Sequence, residues 1–402
     1  MRVLALGGSG DMGRMAVAIM LESPIVSSIT IADKDFEKAR LFVEMMGSDK
    51  LNAERIDVCK HEKLVQLISK HDIVVNTVGP FYKFAKRIME AMIEAKGLYV
   101  DICDDWKPTV DLLELNEAAK QAEITAIIGT GASPGISNLM AVIACKKLDE
   151  VDELITAWGV GQTKTGKRPK YFIKPKKFYK KLNRDTPVAN AAIMHFFYET
   201  LGSIPTFRDG NIIQIKSLTE APPIQFPGYK DAYACHIGHP EPVTLPRVIN
   251  TNSVCNLAFL GRKPTKIVRE YSRRITKNEI SIEKASIEMG KKMKSLLINP
   301  FIMKEFINYP PETCVIATGL KNNIKKKIAI GCYRNAYGDM AGDTGVPLAI
   351  VALMMIEGKF KGKGIFTPEE IVDPFEFFNR YAKYCGKNLN IDDILVIREE
   401  YL

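Results

Sequence analysis

The stretch that decides the fold reads RVLALGGSGDMG and occupies residues 2–13. Its first half is an apolar run that predicts a buried strand, and its second half is a glycine-rich turn. The turn fits the pattern G-x-G-x-x-G, and a helical pattern runs on from Met12 to about Leu21. Asp33 ends a second predicted strand, at the spacing where this pattern places an acidic residue. The combination predicts a dinucleotide-binding Rossmann domain.

We expect the turn to bind a nicotinamide dinucleotide, although a turn without a ligand is the alternative. The glycines would let the backbone approach a pyrophosphate, and the free N–H groups of the helix N-terminus would attract it. Asp33 would accept hydrogen bonds from ribose hydroxyls, which favours NAD, while the neighbouring Lys34 keeps NADP possible. The residues predicted here to bind the cofactor are Gly8, Ser9, Gly10, Asp11, Met12, Gly13, Asp33 and Lys34.

Strands and helices alternate up to about residue 128, which is typical of βαβ units and a parallel sheet. After Pro134 this alternation of strands and helices ends. Short apolar segments interrupted by Pro and Gly over residues 205–260 favour antiparallel strands. The predicted fold class is therefore α/β. It combines an N-terminal doubly wound parallel sheet with an inserted α+β domain that carries a mainly antiparallel sheet.

Composition narrows the function classes. The chain has 402 residues, of which 46% are hydrophobic and 26% charged, so two globular domains are expected and a largely disordered chain is excluded. The longest apolar run, Val346 to Ile356, is much shorter than the ~20 residues of a membrane-spanning helix. The N-terminus lacks the pattern of a secretory signal. The 8 cysteines form no Cys-x-x-Cys or Cys/His cluster, so we expect no metal site and a cytoplasmic location with reduced thiols.

The net charge of +9 has a local source in residues 164–184, which we call the basic segment. It contains Lys and Arg at many positions but no Asp or Glu, and four aromatic residues are interleaved with them. A solvated loop, a segment that attracts anions to an active site, and a surface for nucleic acid or membrane all remain open.

Further segments carry a family resemblance. They read NTVGPF at 76–81, YVDICDD at 99–105, GTGASPGISN at 129–138, GDTGVP at 342–347 and KGIFTPE at 363–369. Together with the glycine turn they resemble the saccharopine dehydrogenase family, with a length and layout most similar to its lysine 6-dehydrogenase-like members. The family more often has Gly-Glu where this chain has Asp104 and Asp105, and the basic segment has no counterpart in it.

The resemblance implies a nicotinamide-dependent oxidoreductase that acts on the C–N bond of an amino acid such as lysine or saccharopine. Hydride transfer to the nicotinamide would give an imine. The resemblance also implies that the chain leaves the Rossmann domain near residue 135 and returns near residue 340. We therefore predict a Rossmann domain of residues 1–135 plus 336–402, completed by the C-terminal segment. Residues 136–335 would form a substrate-binding and dimerisation domain of a homodimer.

The predicted edge of the parallel sheet supplies further candidates, because ligands of such sheets bind beyond the carboxyl ends of the strands. Asn76, Thr77, Gly79 and Pro80 follow one strand and would line the nicotinamide pocket. Asp101 and Asp105 follow the next strand and would bind a substrate ammonium group or take a proton, unless they only cap a helix.

Other candidates come from single residues and from the resemblance. His239, within the segment His-Pro-Glu-Pro, would be a base near pH 7, or else a half-buried histidine of a sheet domain. Arg247 would pair with a substrate carboxylate, or else form a surface ion pair. The family-like segments add four residues that would contact substrate, Cys103, Ser133, Gly135 and Asn138.

Two rival functions remain open at this point. One is the reverse chemistry, the reductive condensation of a carbonyl with an amine, of the opine or carboxynorspermidine type. The other is a non-catalytic cofactor sensor or a nucleic-acid binder that uses the basic segment. We predict an enzyme with a small-molecule amino-acid substrate that acts without nucleic acid or membrane.

Overall fold

A computed structural model describes residues 1–166, 168–185, 191–297 and 303–402, and Lys167 of the basic segment lies outside them. The chain divides into two compact units. Unit 1 comprises Met1–Gly135, Thr165–Thr186 and Asn335–Ile391. Unit 2 comprises Ile136–Lys164, Pro187–Arg334 and Asp392–Leu402. The basic segment, except for Lys164, therefore packs with the Rossmann portion, and the last residues pack with unit 2, which differs from the predicted boundaries.

Unit 1 contains a parallel sheet of the Rossmann type. Among the described residues its seven strands are, in sheet order, Gly364–Phe366, Thr125–Ile127, Leu98–Asp101, Ile73–Asn76, Arg2–Leu6, Ser28–Asp33 and Leu51–Arg55. All neighbouring strands run parallel. The chain order of the first six strands is the doubly wound 3-2-1-4-5-6 arrangement, so the predicted fold class is confirmed. The glycine turn follows the central strand, at the edge where ligands bind.

Helices cover this sheet. In unit 1 they are Asp11–Met20, Phe36–Met46, His61–Ile68, Phe81–Ala95, Trp106–Leu113, Asn116–Gln121, Pro175–Lys181, Met340–Ile356, Pro368–Ile371 and Pro374–Cys385. The largely apolar helix Met340–Ile356 packs against the first helix, where a Cβ on Gly345 would lie 2.5 Å from the carbonyl oxygen of Met12. Only glycine permits this approach, and the C-terminal segment thereby completes the domain as predicted.

Unit 2 is built on a mixed sheet. Its strands are, in sheet order, Asn211–Lys216, Ser203–Arg208, Thr251–Phe259, Glu150–Gly159, Thr313–Lys321, Ile324–Cys332 and Leu395–Tyr401, and Cys235–His236 also pairs with Thr251–Phe259. Only the pair Glu150–Gly159 and Thr251–Phe259 is parallel among these described strands. The mainly antiparallel prediction is confirmed, and the last strand explains why the C-terminus packs with unit 2.

The remaining elements of unit 2 are mostly helical. They are Ile136–Cys145, Ala191–Glu199, Glu241–Thr244, Arg262–Thr276, Ile282–Leu297 and Ile391–Ile394, with 3-10 turns at Leu245–Arg247 and Lys304–Phe306. Two short strands, Lys164–Thr165 and Arg334–Asn335, occur where the chain passes from one unit to the other. Across the described residues, no helix combines the length and apolar character that crossing a membrane requires.

Candidate functional site

The glycine turn has one crowded side and one open side. Gly7 has a φ of +70°, and a Cβ on Gly13 would lie 2.7 Å from the Cα atom of Gly8. Among the described residues, a Cβ on Gly10 would approach only the carbonyl oxygen of Gly7, at 3.2 Å. Gly13 therefore allows close packing, whereas Gly10 faces space that a pyrophosphate can enter. Sequence reasoning missed Gly7, although the pair of glycines at 7–8 was a signal for the residue that makes the sharp turn.

The acidic residue of the pattern is held by the turn itself. The buried hydroxyl of Ser9 donates to Asp33 Oδ2, and the amide of Asp35 donates to Asp33 Oδ1 at 3.0 Å. The Lys34 ammonium lies 3.3 Å from the Asp57 carboxylate, and its side chain is largely exposed. Asp33 is thus oriented at the strand end, while Lys34 is drawn toward Asp57. This geometry fits an acceptor for ribose hydroxyls.

The first turn of the helix carries a buried cation. Arg14 is 5% exposed, donates to the carbonyl oxygen of Ser9 at 2.6 Å and pairs with Asp11. Its guanidinium stacks on the ring of Phe178 in the basic segment, 4.1 Å from the ring centroid. Asp11 and Met12 are partly exposed at the start of the helix. Sequence reasoning missed Arg14, since a single arginine in a helix carries no pattern.

A series of hydrogen bonds connects the carboxyl ends of two neighbouring strands. Asn76 Nδ2 donates to the Tyr99 hydroxyl at 2.9 Å, and that hydroxyl donates to Asp101 Oδ2 at 2.8 Å. Asp101 Oδ1 accepts from the amides of Cys103 at 3.0 Å and Gly129 at 2.9 Å. Burial raises the pKa of Asp101 to about 6. Since both oxygens are engaged and the residue is fully buried, the geometry favours Asp101 as an anchor of this edge.

The other candidate residues lie at the same carboxyl edge of the parallel sheet. Asp105 is fully buried at the N-cap position of Trp106–Leu113, yet its Oδ2 accepts from the amide of Tyr82, at 2.9 Å, rather than capping its own helix. Burial raises the pKa of the Cys103 thiol well above its usual value, so it stays protonated. Thr77 packs against the glycine turn, within 2.8 Å of a Cβ placed on Gly13. Gly79 and Pro80 are partly exposed beside it.

The loop from 129 to 138 spans both units. In unit 1, Gly135 has a φ of +121°, and a Cβ there would lie 2.2 Å from the carbonyl oxygen of Gly131, so glycine is required. Ser133 is partly exposed in the same loop. In unit 2, Asn138 is buried and its Nδ2 lies 3.4 Å from Thr244 Oγ1. Arg247 is exposed in the 3-10 turn Leu245–Arg247.

Unit 2 contains a buried cluster of two histidines and two glutamates, which we call the His–Glu cluster (His195, Glu199, His239 and Glu241). Glu199 Oε1 lies 2.6 Å from His195 Nε2 and 2.5 Å from His239 Nε2. The other nitrogen of His239, Nδ1, lies 3.4 Å from Glu241 Oε2. Ser137 donates to Glu241 Oε1 at 2.9 Å, and the ring centroid of Trp158 is 5.5 Å from that of His239. Of these four residues, the sequence analysis named only His239 as a candidate site residue.

The cluster changes the role available to His239. Burial alone would disfavour the imidazolium, but the carboxylates of Glu199 and Glu241 raise the pKa of His239 to about 10. Burial likewise opposes ionisation of Glu199, yet the two histidines lower the pKa of that carboxyl. His239 is therefore a cation at neutral pH, with both nitrogens facing carboxylates. This environment does not fit the expected base near pH 7.

His195, Glu199 and His239 are also a donor set that could hold a metal ion. In a tetrahedral zinc site with bonds of about 2.0–2.1 Å, neighbouring ligand atoms stand roughly 3.3 Å apart. The N···O distances of 2.5 and 2.6 Å are shorter than that and have the length of charge-assisted hydrogen bonds. The geometry favours an ion-paired cluster.

The comparisons with known proteins concern either the cofactor-binding domain or the whole chain. Residues 3–127 match the family model of the saccharopine dehydrogenase NADP binding domain. Over its whole length, the chain resembles the apo saccharopine dehydrogenase (L-Glu forming) of Saccharomyces cerevisiae, with a TM-score of 0.62 at 16% identity, covering 100% of this chain and 99% of that one. At this identity the likeness shows the fold.

Three relatives add information about sequence. Carboxynorspermidine synthase of Vibrio alginolyticus is 23% identical over 93% of this chain and 94% of that protein. Carboxyaminopropylagmatine dehydrogenase of a Synechocystis species is 22% identical over 92% of each chain. Carboxynorspermidine synthase of Vibrio cholerae is 30% identical, but over 38% of this chain and only 42% of that protein.

The parallel sheet and its glycine turn define an oxidoreductase domain that binds NAD or NADP. Residues 3–127 match the saccharopine dehydrogenase NADP-binding domain family, and over its whole length the chain has the fold of saccharopine dehydrogenase. The resemblance stated from the sequence motifs is confirmed.

Proposed function

We propose that this chain catalyses the NAD(P)H-dependent condensation of a carbonyl-bearing amino acid with an amine, the rival that the sequence analysis left open. The reaction makes a C–N bond and is the reverse of the amino-acid dehydrogenation expected from the resemblance. The products would be carboxylated amines of the carboxynorspermidine type. The same residues would serve either direction, so the proposal concerns the substrates and the favoured direction.

One observation carries this choice. The likeness to the carboxynorspermidine synthase of Vibrio alginolyticus extends over 93% of the chain and therefore includes both units. The match to the saccharopine dehydrogenase domain model is confined to residues 3–127, within the dinucleotide-binding unit. Because the cofactor domain is shared by many chemistries, a sequence likeness that includes unit 2 says more about substrate. The whole-length likeness to saccharopine dehydrogenase is one of fold, at 16% identity.

The chemistry has two steps that balance. The amine nitrogen attacks the carbonyl carbon, and the uptake of one proton with the loss of one water molecule leaves an iminium ion. Addition of hydride to the iminium carbon then gives the secondary amine, which takes a proton to become ammonium. When bound, the nicotinamide supplies the hydride. The glycine turn would hold the pyrophosphate beside Gly10, with Asp33 orienting the adenosine ribose.

The His–Glu cluster fits an amine substrate better than an anionic one. The carboxylates of Glu199 and Glu241 are buried beside His239. Carboxylates at this position would attract an ammonium group of a substrate electrostatically. Trp158, partly exposed beside His239, would add an aromatic face that attracts cations.

The test is a pair of rate measurements on the purified chain. We expect NADPH or NADH oxidation only when an aldehyde-bearing amino acid and a short aliphatic diamine are both present, with formation of a secondary amine detected by mass spectrometry. Oxidation of lysine or saccharopine by NAD or NADP at a higher kcat/KM than the condensation would contradict the proposed direction. No turnover on either panel, with salt-sensitive binding to DNA or RNA, would favour the nucleic-acid rival.

A further inference from the structure

One edge of the sheet in unit 2 is open to solvent. The strand Asn211–Lys216 lies at this edge and pairs on one side with Ser203–Arg208, and none of the strands that the structure describes pairs with its other side. Ile212 and Gln214 are exposed, Ile212 to 53%. The backbone N–H and C=O groups on the open side of such a strand are a template for pairing with a further strand.

The opposite edge of the same sheet is protected by charge. Its strand, Leu395–Tyr401, contains three consecutive charged residues, Arg398, Glu399 and Glu400. Charged side chains on an edge strand discourage pairing with another chain, and so does proline. Asn211–Lys216 contains no proline and a single charged residue, at its last position. The sheet of unit 2 therefore has one edge that suits a further strand and one that does not.

The hairpin fixes which backbone groups of the open strand face outward. The N–H of Ser217 donates inward, to the carbonyl oxygen of Gly202 at 3.0 Å. Because the hydrogen-bonding side of an antiparallel pair alternates from residue to residue, the N–H and C=O groups of Ile212, Gln214 and Lys216 point away from the hairpin. A further strand would form its hydrogen bonds with these three residues.

We propose that Asn211–Lys216 pairs antiparallel with the same strand of a second copy of this chain, so that the two sheets continue across a two-fold axis. The pairing is centred on Gln214, whose N–H and C=O groups exchange hydrogen bonds with those of Gln214 in the second copy. Such an interface is isologous, because the same surface is used by both copies. The inference concerns assembly and does not depend on the proposed function.

The side chains of the strand are complementary to themselves in this register. On one face, Ile213 lies opposite Ile215 of the second copy, and both are only half-buried in the single chain. On the other face, Ile212 lies opposite Lys216 of the second copy. Apolar pairs stabilise neighbouring strands, whereas like charges opposite each other destabilise them. Pairing centred on Ile212 would place Lys216 opposite Arg208, so the charges favour the first register.

Sedimentation of two proline variants tests the pairing. Gln214→Pro removes an N–H that the hairpin does not use, so the variant should fold, with the far-UV circular dichroism of the wild type, but sediment as a monomer at concentrations where the wild type is a dimer. Tyr401→Pro is the matched control on the opposite edge. Its own N–H also points outward, since the next N–H, of Leu402, donates inward to Lys325 at 3.0 Å. The control should remain a dimer. A monomeric wild type, or equal self-association of both variants, would overturn the proposal.

Cross-linking tests the register without proline. At the two-fold axis, the two copies of residue 214 would have Cα atoms about 5.5 Å apart, which a disulfide can span. Gln214→Cys should therefore form an interchain disulfide on mild oxidation. Ile212→Cys, exposed on the same strand, should not, because its counterpart lies farther along the second copy. Both variants carry Cys59→Ser, which removes an exposed native thiol. Equal cross-linking of the two variants, or none in either, would contradict the pairing.

Discussion

The pH dependence of the His–Glu cluster offers a sharp test of the structure. The ordinary pKa of 6.5 for His239 rises to about 10 in the folded protein. A histidine with a raised pKa stabilises the fold fully below its unfolded pKa, and that stabilisation is lost as the pH rises toward the folded pKa. Between about pH 6.5 and 10, the free energy of unfolding should therefore fall by about 1.4 kcal/mol per pH unit, or roughly 5 kcal/mol in all.

The perturbation is Glu199→Gln, which keeps the shape of the side chain and removes one of the two carboxylates that face His239. Glu241 remains at 3.4 Å, so we expect about half of the pH dependence to survive. Glu94→Gln is the matched control, because Glu94 lies 2.8 Å from His61 at the exposed surface. Pairs of that kind contribute about 0–1 kcal/mol.

The assay is urea unfolding from pH 6 to pH 10, followed by Trp158 fluorescence. Trp158 lies beside His239, and Trp106→Phe removes the only other tryptophan of the chain. NMR of labelled histidines gives the pKa of His239 directly, with His239→Asn to assign its signal. A wild-type His239 that titrates near 6.5, or equal pH dependence in wild type and Glu199→Gln, would refute the argument. A response of the histidine signals to added Zn²⁺ would instead identify a metal site.

Three further predictions concern the cofactor and the assembly. Gly10→Val should weaken NADPH binding at least tenfold, about 1.4 kcal/mol, because the side chain would occupy the space of the pyrophosphate, while thermal stability changes little. Unchanged affinity in a fluorescence titration would contradict this prediction. The control variant Gly13→Ala should instead lower the melting temperature. Asp33→Ser should shift preference toward NADP, since the carboxylate repels a 2′-phosphate; a wild type that binds NADP tenfold more tightly than NAD would show that Lys34 dominates. The chain should form a homodimer through the 136–335 region, whose strand edges need cover; sedimentation as a monomer at micromolar concentration would rule this out.

Much of the fold could be predicted because its signals are local. An apolar strand, a glycine turn and a helical pattern occur within residues 2–20, and each depends only on near neighbours. The acidic strand end at Asp33 follows from the same spacing. The motif segments at 76–81 and 99–105 likewise follow strands of the parallel sheet. These predicted elements agree with the structure, and predicting them requires no knowledge of tertiary contacts.

The candidate site was less predictable, because the properties of its residues depend on partners far along the chain. Asp101 was expected to face substrate, but Tyr99, Cys103 and Gly129 engage both of its oxygens. His239 was expected to be a base near neutral pH. Its pKa depends on Glu199, which lies on a separate helix, and no local pattern connects the two.

The sequence by itself determined the Rossmann domain, the sheet edge at which ligands of this fold bind and the family resemblance, since periodicity, turn glycines and motif spacing are properties of short segments. Tertiary structure decided which unit each later segment joins and which charges are buried together. Phe178 packs against Arg14 in unit 1, and the strand Leu395–Tyr401 pairs with the sheet of unit 2. Both outcomes depend on the burial of apolar surface against distant elements, and the charge state of a buried group follows from whatever that packing brings beside it.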